Sequence, residues 1–187
     1  VDQYRHPVRA VLWEVPAGLL DVAGEDYLAA AQRELAEETD LRAERWDVLV
    51  DYFTTPGGST ESLRVYLARE LSEVPAGERH ARADEERDMT VRWVPLDDAV
   101  AGVHAGRIHN PSAVVGILAA ASARAAGWRT LRPADAPWFR RAQLPRAPGP
   151  VGCVGGFPWG AGVPAGTADA QAEWCAAGSR RDRAVTA

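Results

Sequence analysis

The sequence lacks the features that define several classes of protein. Its 187 residues contain no apolar run that approaches the roughly 20 residues of a membrane-spanning helix. The N-terminal residues 1–5 do not have the pattern of a signal peptide. The two cysteines, Cys153 and Cys175, have neither a metal-ligand spacing nor the pattern of a disulfide framework. We therefore predict a cytoplasmic protein that has no membrane partner.

The sequence also lacks a long tract of basic residues, and its formal net charge is −5. Non-specific nucleic-acid binding relies on many cationic contacts with phosphates, so we expect no nucleic-acid partner. A small-molecule nucleotide substrate is compatible with this charge because it needs only a few well-placed arginines. The composition, 47% hydrophobic and 25% charged, is typical of a globular domain with a sizeable core.

The composition changes near residue 145, where glycine and proline become frequent and large aliphatic residues become scarce. We predict one domain over residues 1–144 and a disordered tail over residues 145–187. The chain begins with Val1 and enters patterned sequence almost at once. We therefore expect that an N-terminal region is missing.

The hydrophobic periodicity predicts a helix over residues 26–38, with Leu28, Ala31 and Leu35 on its core-facing side. A short helix is predicted from Leu96. A longer one follows, with its N-cap at Asn110, apolar residues Val114, Val115, Ile117 and Leu118 for the core, and its end at Gly127. Strands are predicted at residues 11–15, 46–53, 63–71 and 89–94.

The most informative feature is a glycine loop that leads into an acidic helix. The loop begins at Gly18, and the helix carries three carboxylates within five residues, Glu34, Glu37 and Glu38. Spacings of three and four residues place all three carboxylates on one side of the helix. Like charges so close together repel, and a hard divalent cation such as Mg²⁺ removes that cost. Such a cation commonly serves chemistry on phosphate oxygens.

A single pair of glutamates usually belongs to a solvated helix face, but here further residues accompany the cluster. Arg33 lies four residues before Glu37 and can pair with it. Gly18 permits a turn that folds a main-chain carbonyl, that of Ala17, towards a metal. We therefore interpret the set as a metal site.

These residues resemble the signature of the Nudix hydrolase family, which continues here from Gly18 through Glu25 to the run 33–38. The resemblance implies an α/β fold, an α/β/α sandwich with a mixed sheet. It also implies hydrolysis of nucleoside diphosphates linked to another group, with Mg²⁺ or Mn²⁺ as cofactor. Two departures occur. The first gap has six residues instead of five, and Asp40 replaces a glycine that we expect to end the helix with a positive φ.

Further segments resemble the ADP-ribose pyrophosphatase branch of that family, in its actinobacterial form. They are Gln3-Tyr4-Arg5, Trp13 to Asp21, Pro56-Gly57 and Gly106 to Asn110. This second resemblance implies hydrolysis of ADP-ribose to AMP and ribose 5-phosphate. It also implies a homodimer when the N-terminal region is present.

The resemblance implies roles for individual residues. Glu34, Glu38 and the carbonyl of Ala17 would bind the metal, with Glu37 as a further ligand or as a catalytic partner that orients the others. Arg5 would bind the phosphates of the substrate.

Two loops are implied to complete the site. Pro56 and Gly57 would contact the substrate. The general base would come from the acidic loop over residues 84–88, where either Glu86 or Glu85 fits. None of the four histidines (His6, His80, His104 and His109) has a ligand spacing with a partner.

Two alternatives stay open on the sequence. The first is a Nudix hydrolase for another substrate, such as a dinucleoside polyphosphate, a sugar nucleotide or an oxidised nucleotide. The second is a module that binds ADP-ribose without cleaving it, which Asp40 and the missing N-terminal region would favour.

Overall fold

The structure, a computed structural model, describes residues 1–82 and 89–138 and the backbone of residues 185–186. An N-terminal hairpin comes first. Strands β1 (Asp2–Arg5) and β2 (Ala10–Trp13) pair antiparallel, with Tyr4 opposite Val11. The predicted strand over residues 11–15 corresponds to β2, which begins and ends slightly earlier.

Helix α1 (Tyr27–Thr39) agrees closely with the predicted helix. It begins where the carboxylate of Asp26 accepts hydrogen bonds from the amides of Leu28 and Ala29, both at 2.9 Å. An N-cap of this kind satisfies amide groups that the helix leaves unpaired. Leu35 is fully buried and Leu28 is partly buried, as the periodicity predicted.

The main sheet has the strand order β5-β3-β4-β6. Strands β3 (Leu41–Phe53) and β4 (Ser62–Glu73) form a long antiparallel ladder, with a bulge between Val48 and Val50. The shorter strands β5 (Arg132–Pro133) and β6 (Val185–Thr186) pair with β3 and β4. Leu35 of α1 packs against Leu41 and Ala68 of this sheet in the core.

A short 3₁₀ helix (Ala76–Glu78) and two further α-helices complete the described fold. Helices α2 (Leu96–His104) and α3 (Pro111–Ala125) occur where they were predicted, and α3 begins at the N-cap Asn110. Gly127, at a φ of 63°, follows the end of α3 and donates its N–H to the carbonyl of Arg124. Both α1 and α3 pack against β3.

Every strand pairing among the described residues is antiparallel. One prediction about the strands needs correction. The predicted strand over residues 89–94 does not form. Trp93 and Val94 are exposed, and the amide of Thr90 donates to the carboxylate of Asp2 (2.8 Å) instead of to a strand.

The predicted tail is described only at residues 185–186, which form β6; the remainder of residues 139–187 lies outside the described residues. The disordered tail and the boundary at residue 144 therefore stay predictions. No helix within the described part of the chain is both long and apolar enough to cross a membrane.

Candidate active site

The acid cluster lies in the last two turns of α1 and against the loop that precedes this helix. We use that name for one arginine and the glutamates around it, namely Glu25, Arg33, Glu34, Glu37 and Glu38. Glu34 lies against Gly18 and Glu38 against the amide of Ala17, so these two glutamates face the glycine loop, and Glu37 is held by Arg33.

Arg33 holds three of these carboxylates with one guanidinium group. Its Nε and Nη2 donate to the two oxygens of Glu25, each at 3.1 Å. Its Nη1 donates to Oε1 of Glu34 at 2.6 Å and to Oε2 of Glu37 at 3.0 Å. These hydrogen bonds, that to Glu25 above all, raise the pKa of Arg33 above its usual value, so the group stays charged. The predicted pairing of Arg33 with Glu37 is confirmed.

The carboxylates of the cluster are turned inwards rather than into solvent. The side chains of Glu25, Glu34 and Glu37 are between 13% and 26% exposed. Glu38 is buried, and its Oε2 accepts a hydrogen bond from the amide of Ala17 at 3.2 Å. The structure thus brings the amide of Ala17 and the carboxylate of Glu38 together, and the predicted role of the Ala17 carbonyl stays a prediction.

Gly18 lies directly against the cluster. A Cβ atom built on Gly18 would be 1.9 Å from Cδ and from Oε1 of Glu34, so a side chain at position 18 would displace the Glu34 carboxylate from its present place. The glycine therefore lets the loop backbone approach a carboxylate closely. Close approach of main-chain and carboxylate oxygens is the arrangement that a hard cation uses.

The donor chemistry of the cluster fits a divalent cation that prefers oxygen. Within residues 1–82 and 89–138, however, no three acidic, histidine or cysteine side chains stand close enough together to hold a metal ion. Arg33 occupies oxygens of both Glu34 and Glu37, so a cation would compete with this guanidinium for them. The assignment of Glu34, Glu37, Glu38 and Ala17 as metal ligands stays a prediction.

Arg5, the predicted phosphate ligand, lies at the end of β1 and forms a two-bond ion pair with Glu14. Its Nε is 2.8 Å from Oε1 of Glu14, and its Nη2 is 2.7 Å from Oε2. The Arg5 side chain remains 41% exposed, whereas that of Glu14 is 3% exposed. Glu14 therefore holds the Arg5 guanidinium from the buried side, and the Arg5 side chain is partly exposed.

The structure places the other predicted residues as follows. Pro56 and Gly57 lie in the exposed turn between β3 and β4, which is closed by hydrogen bonds from the amides of Gly58 and Ser59 to the carbonyl of Thr55. These turn hydrogen bonds do not extend to the acid cluster. Glu85 and Glu86 lie outside the described residues, so the choice between them stays open.

Asp40 ends α1 in the left-handed conformation, with φ 56° and ψ 33°, so the predicted positive φ is confirmed. Its Oδ2 accepts a hydrogen bond from Nη2 of Arg82 at 2.6 Å, and Nε of Arg82 also donates to the carbonyl of Glu37 at 3.0 Å. A guanidinium at the C-terminus of a helix pairs with carbonyls that the helix leaves unsatisfied. Arg82 thus stabilises the end of the helix at a residue whose left-handed conformation is strained.

A cavity of about 410 Å³ lies beside this helix end. Its described lining residues are Thr39, Asp40, Leu41, Glu73, Arg79, Arg82, Val91 and Trp93. Its charges are balanced, because Arg82 pairs with Asp40 and Arg79 pairs with Glu73.

Residues 1–113 match the NUDIX domain. The chain belongs to the Nudix family. It is 50% identical over 141 residues to the ADP-ribose pyrophosphatase of Mycobacterium tuberculosis, a match that covers 75% of this chain and 66% of that protein.

Two further relatives are more distant. The chain is 34% identical over 117 residues to the methanol dehydrogenase activator of Bacillus methanolicus, covering 63% of this chain and 61% of that protein. It is also 34% identical over 110 residues to the ADP-ribose pyrophosphatase of Bacillus subtilis, covering 59% and 57%. This Nudix chain therefore spans less than two thirds of the length of each of these relatives.

Two residues of the site, Glu14 and Arg82, were not predicted from the sequence. Glu14 lies inside a segment already noted for its resemblance, and its signal was a charged residue among apolar ones in Val11 to Val15. Arg82 gave no local signal, because its partners Asp40 and Glu37 are more than 40 positions away in the chain.

Proposed function

We propose that this Nudix domain hydrolyses the pyrophosphate bond of ADP-ribose to AMP and ribose 5-phosphate, with Mg²⁺ or Mn²⁺ as cofactor. The observation that carries the proposal is the acid cluster, in which three carboxylates share the guanidinium of Arg33 and a fourth, that of Glu38, is buried beside the amide of Ala17. The substrate is suggested by the 50% identity to a protein named ADP-ribose pyrophosphatase. The Bacillus subtilis relative is also named ADP-ribose pyrophosphatase, which supports the same substrate.

In this proposal Glu34, Glu38 and the carbonyl of Ala17 hold the cation, and Glu37 supports them. A divalent cation bound there would neutralise charge on the pyrophosphate and make a bound water more acidic. Arg33 keeps the glutamates in one place, since its own contacts fix Glu34 and Glu37 relative to Glu25. Because Gly18 has no side chain, its backbone can lie directly against the carboxylate of Glu34.

Arg5 provides the positive charge for the substrate in this proposal. A guanidinium group binds phosphate oxygens through charge-assisted hydrogen bonds in a fixed geometry. The exposure of Arg5 above its buried partner Glu14 supports that role. A glutamate of the acidic loop, Glu86 or Glu85, is proposed as the base that accepts a proton from water, and Pro56 and Gly57 as substrate contacts.

Two other candidates have observations in their favour. A relative with a different name, the methanol dehydrogenase activator, is as similar to this chain as one of the pyrophosphatases is, which favours a different substrate for the same chemistry. A module that binds ADP-ribose without cleaving it is favoured by the lack of three converging metal-binding side chains among the described residues.

One assay separates these candidates. The protein is incubated with ADP-ribose, a dinucleoside polyphosphate or a sugar nucleotide, with Mg²⁺, with Mn²⁺ or with a chelator, and the products are identified. We expect AMP and ribose 5-phosphate from ADP-ribose, and no product with the chelator. Faster turnover of another diphosphate would replace the substrate, and tight binding of ADP-ribose without any product would support the binding module.

The remaining predictions about the protein's setting follow from the sequence alone. They are a nucleotide as the small-molecule partner, no nucleic-acid or membrane partner, a cytoplasmic location, and a homodimer that includes an N-terminal region. Size-exclusion chromatography with light scattering, on protein with and without added residues before Val1, tests the last of them.

A further inference from the structure

Glu14 is a buried carboxylate to which the proposed reaction gives no task. It follows β2, and its side chain is 3% exposed. Removing a carboxylate from water costs free energy unless a charged partner and hydrogen bonds compensate it. A residue of this kind is kept for a structural reason or for a functional one.

The partner of Glu14 is Arg5, and the geometry of the pair is a fork. The two nitrogens Nε and Nη2 of Arg5 meet the two carboxylate oxygens at 2.8 and 2.7 Å. Two parallel hydrogen bonds fix both the position and the plane of a guanidinium group, which one bond does not. The strand register places Arg5 opposite Ala10, and Glu14 shares the face of Ala10 because it lies four positions later.

A second fork in the same molecule shows what a structural pair looks like. Arg64 donates from Nε and Nη2 to the two oxygens of Asp51, at 2.8 and 3.0 Å. There the arginine is the interior partner, 3% exposed, and it also donates to the carbonyls of Ala136 and Pro137. The fork of Arg5 is the reverse, with the carboxylate inside and the guanidinium 41% exposed.

The hairpin that carries Arg5 is itself fastened to the rest of the domain. The carboxylate of Asp2 accepts the amide hydrogen of Thr90 at 2.8 Å. The guanidinium carbon of Arg92 lies 5.1 Å from the centre of the Trp13 ring, within the range of a cation–π contact. Glu14 therefore anchors Arg5 to a support that does not depend on the hairpin alone, since an isolated two-stranded hairpin is only marginally stable.

We propose that Glu14 is a positioning residue, which holds the guanidinium of Arg5 in the orientation that receives the diphosphate of the substrate. The inference rests on the proposed function, because it takes Arg5 as the phosphate ligand. A long arginine side chain that is already oriented loses less conformational entropy when it binds a ligand. Glu14 acts through Arg5 and does not itself touch the substrate.

The test compares E14Q with a matched variant, D51N, which removes one charge from the structural fork. Steady-state constants for ADP-ribose and the melting temperature are measured for both. We expect E14Q to raise KM about tenfold with little change in kcat, because binding common to ground and transition states is lost. D51N should lower the melting temperature and leave KM unchanged.

Two further variants connect the effect to Arg5. R5K keeps the charge but cannot form the fork, so it should raise KM by a similar factor. The double variant R5K/E14Q should be no worse than R5K alone, because both changes break one interaction. If E14Q does not fold, E14D keeps the charge while withdrawing the carboxylate, and a raised KM is expected from it too.

Several outcomes would overturn the inference. An unchanged KM in E14Q with a lowered melting temperature would make Glu14 purely structural. A lowered KM would mean that Glu14 only weakens the charge of Arg5. If the wild type cleaves no diphosphate, the proposed function fails by itself. Binding of ADP-ribose by wild type and E14Q is then compared by calorimetry, and equal affinities would overturn the inference.

Discussion

Two clusters of charge in this domain use the same side chains in opposite proportions. In the acid cluster one arginine, Arg33, is shared among the carboxylates of Glu25, Glu34 and Glu37. In the second cluster one carboxylate, Asp51, is shared between Arg64 and Arg132. The second cluster has one more guanidinium than carboxylate, and its additional N–H donors bind the backbone, since Arg64 also donates to two carbonyls.

Among the contacts of the described residues, the acid cluster sets four carboxylates against the guanidinium of Arg33. Its additional acid, Glu38, is buried and accepts one backbone amide, that of Ala17. A half-buried surplus of one sign costs stability unless a ligand of the other sign binds. We therefore interpret the Asp51 cluster as a structural element and propose that the acid cluster binds a cation.

The largest expected effect comes from breaking the acid cluster with E38Q. Glutamine keeps the shape and an oxygen for the amide of Ala17 but removes the charge that a cation requires. We expect turnover of ADP-ribose with Mg²⁺ to fall by about 10³-fold or more, and the free energy of unfolding to change by less than about 1 kcal/mol. Kinetics and urea unfolding measure the two quantities.

The matched control is E44Q, which removes an exposed carboxylate from β3. It should alter neither turnover nor stability. Near-normal, Mg²⁺-dependent hydrolysis by E38Q would contradict the assignment of the metal site.

Breaking the Asp51 cluster should have the opposite signature. R64A leaves Asp51 and the carbonyls of Ala136 and Pro137 without their buried donor. Removal of one partner from a buried pair costs about 3–5 kcal/mol, so a loss of about 3 kcal/mol is expected in urea unfolding. Turnover per folded molecule should stay within twofold of wild type, about the scatter expected between independent sites. A strong loss of turnover in folded R64A would remove the distinction between the clusters.

Cation binding by the acid cluster can also be measured without an activity assay, through the melting temperature. If the acid cluster binds a cation in the folded state only, Mg²⁺ should raise the melting temperature, with a stabilisation that grows with the logarithm of its concentration and is about 2.7 kcal/mol at one hundred times its dissociation constant. The shift should be small in E34Q and in E38Q. NaCl at matched ionic strength should not reproduce it. An equal shift in all three proteins would place the cation elsewhere.

The parts of the fold that were predicted correctly depend on neighbours in the sequence. Asp26 and Asn110 accept amide hydrogens from residues two or three positions ahead, and Gly127 ends α3 for reasons of its own conformation. The common face of Glu34 and Glu38 follows from helical spacing. Such signals are local, so one sequence is sufficient to find them.

The parts that were missed depend on contacts between distant segments. Leu118 of α3 was expected in the core but is exposed. The buried positions are instead the small residues Ala113, Gly116, Ala120 and Ala123. Which face of a largely apolar helix is buried is decided by the sheet it packs on. The strand expected over residues 89–94 was wrong for a related reason, because Thr90 bonds to Asp2 from the other end of the chain.

The smallest expected effect concerns Asp40, the residue that ends α1. D40G removes the strain of a left-handed residue that has a side chain, which should raise the free energy of unfolding by about 1 kcal/mol. It also removes the partly buried ion pair with Arg82, which is worth about 0.5 kcal/mol. We expect a net gain of about 0.5 kcal/mol, because Arg82 keeps its bond to the carbonyl of Glu37. R82A loses both bonds and should cost about 1 kcal/mol. Urea unfolding of the two variants measures both changes in stability. A destabilised D40G would show that the Asp40–Arg82 ion pair contributes more than the strain of the left-handed Asp40 costs.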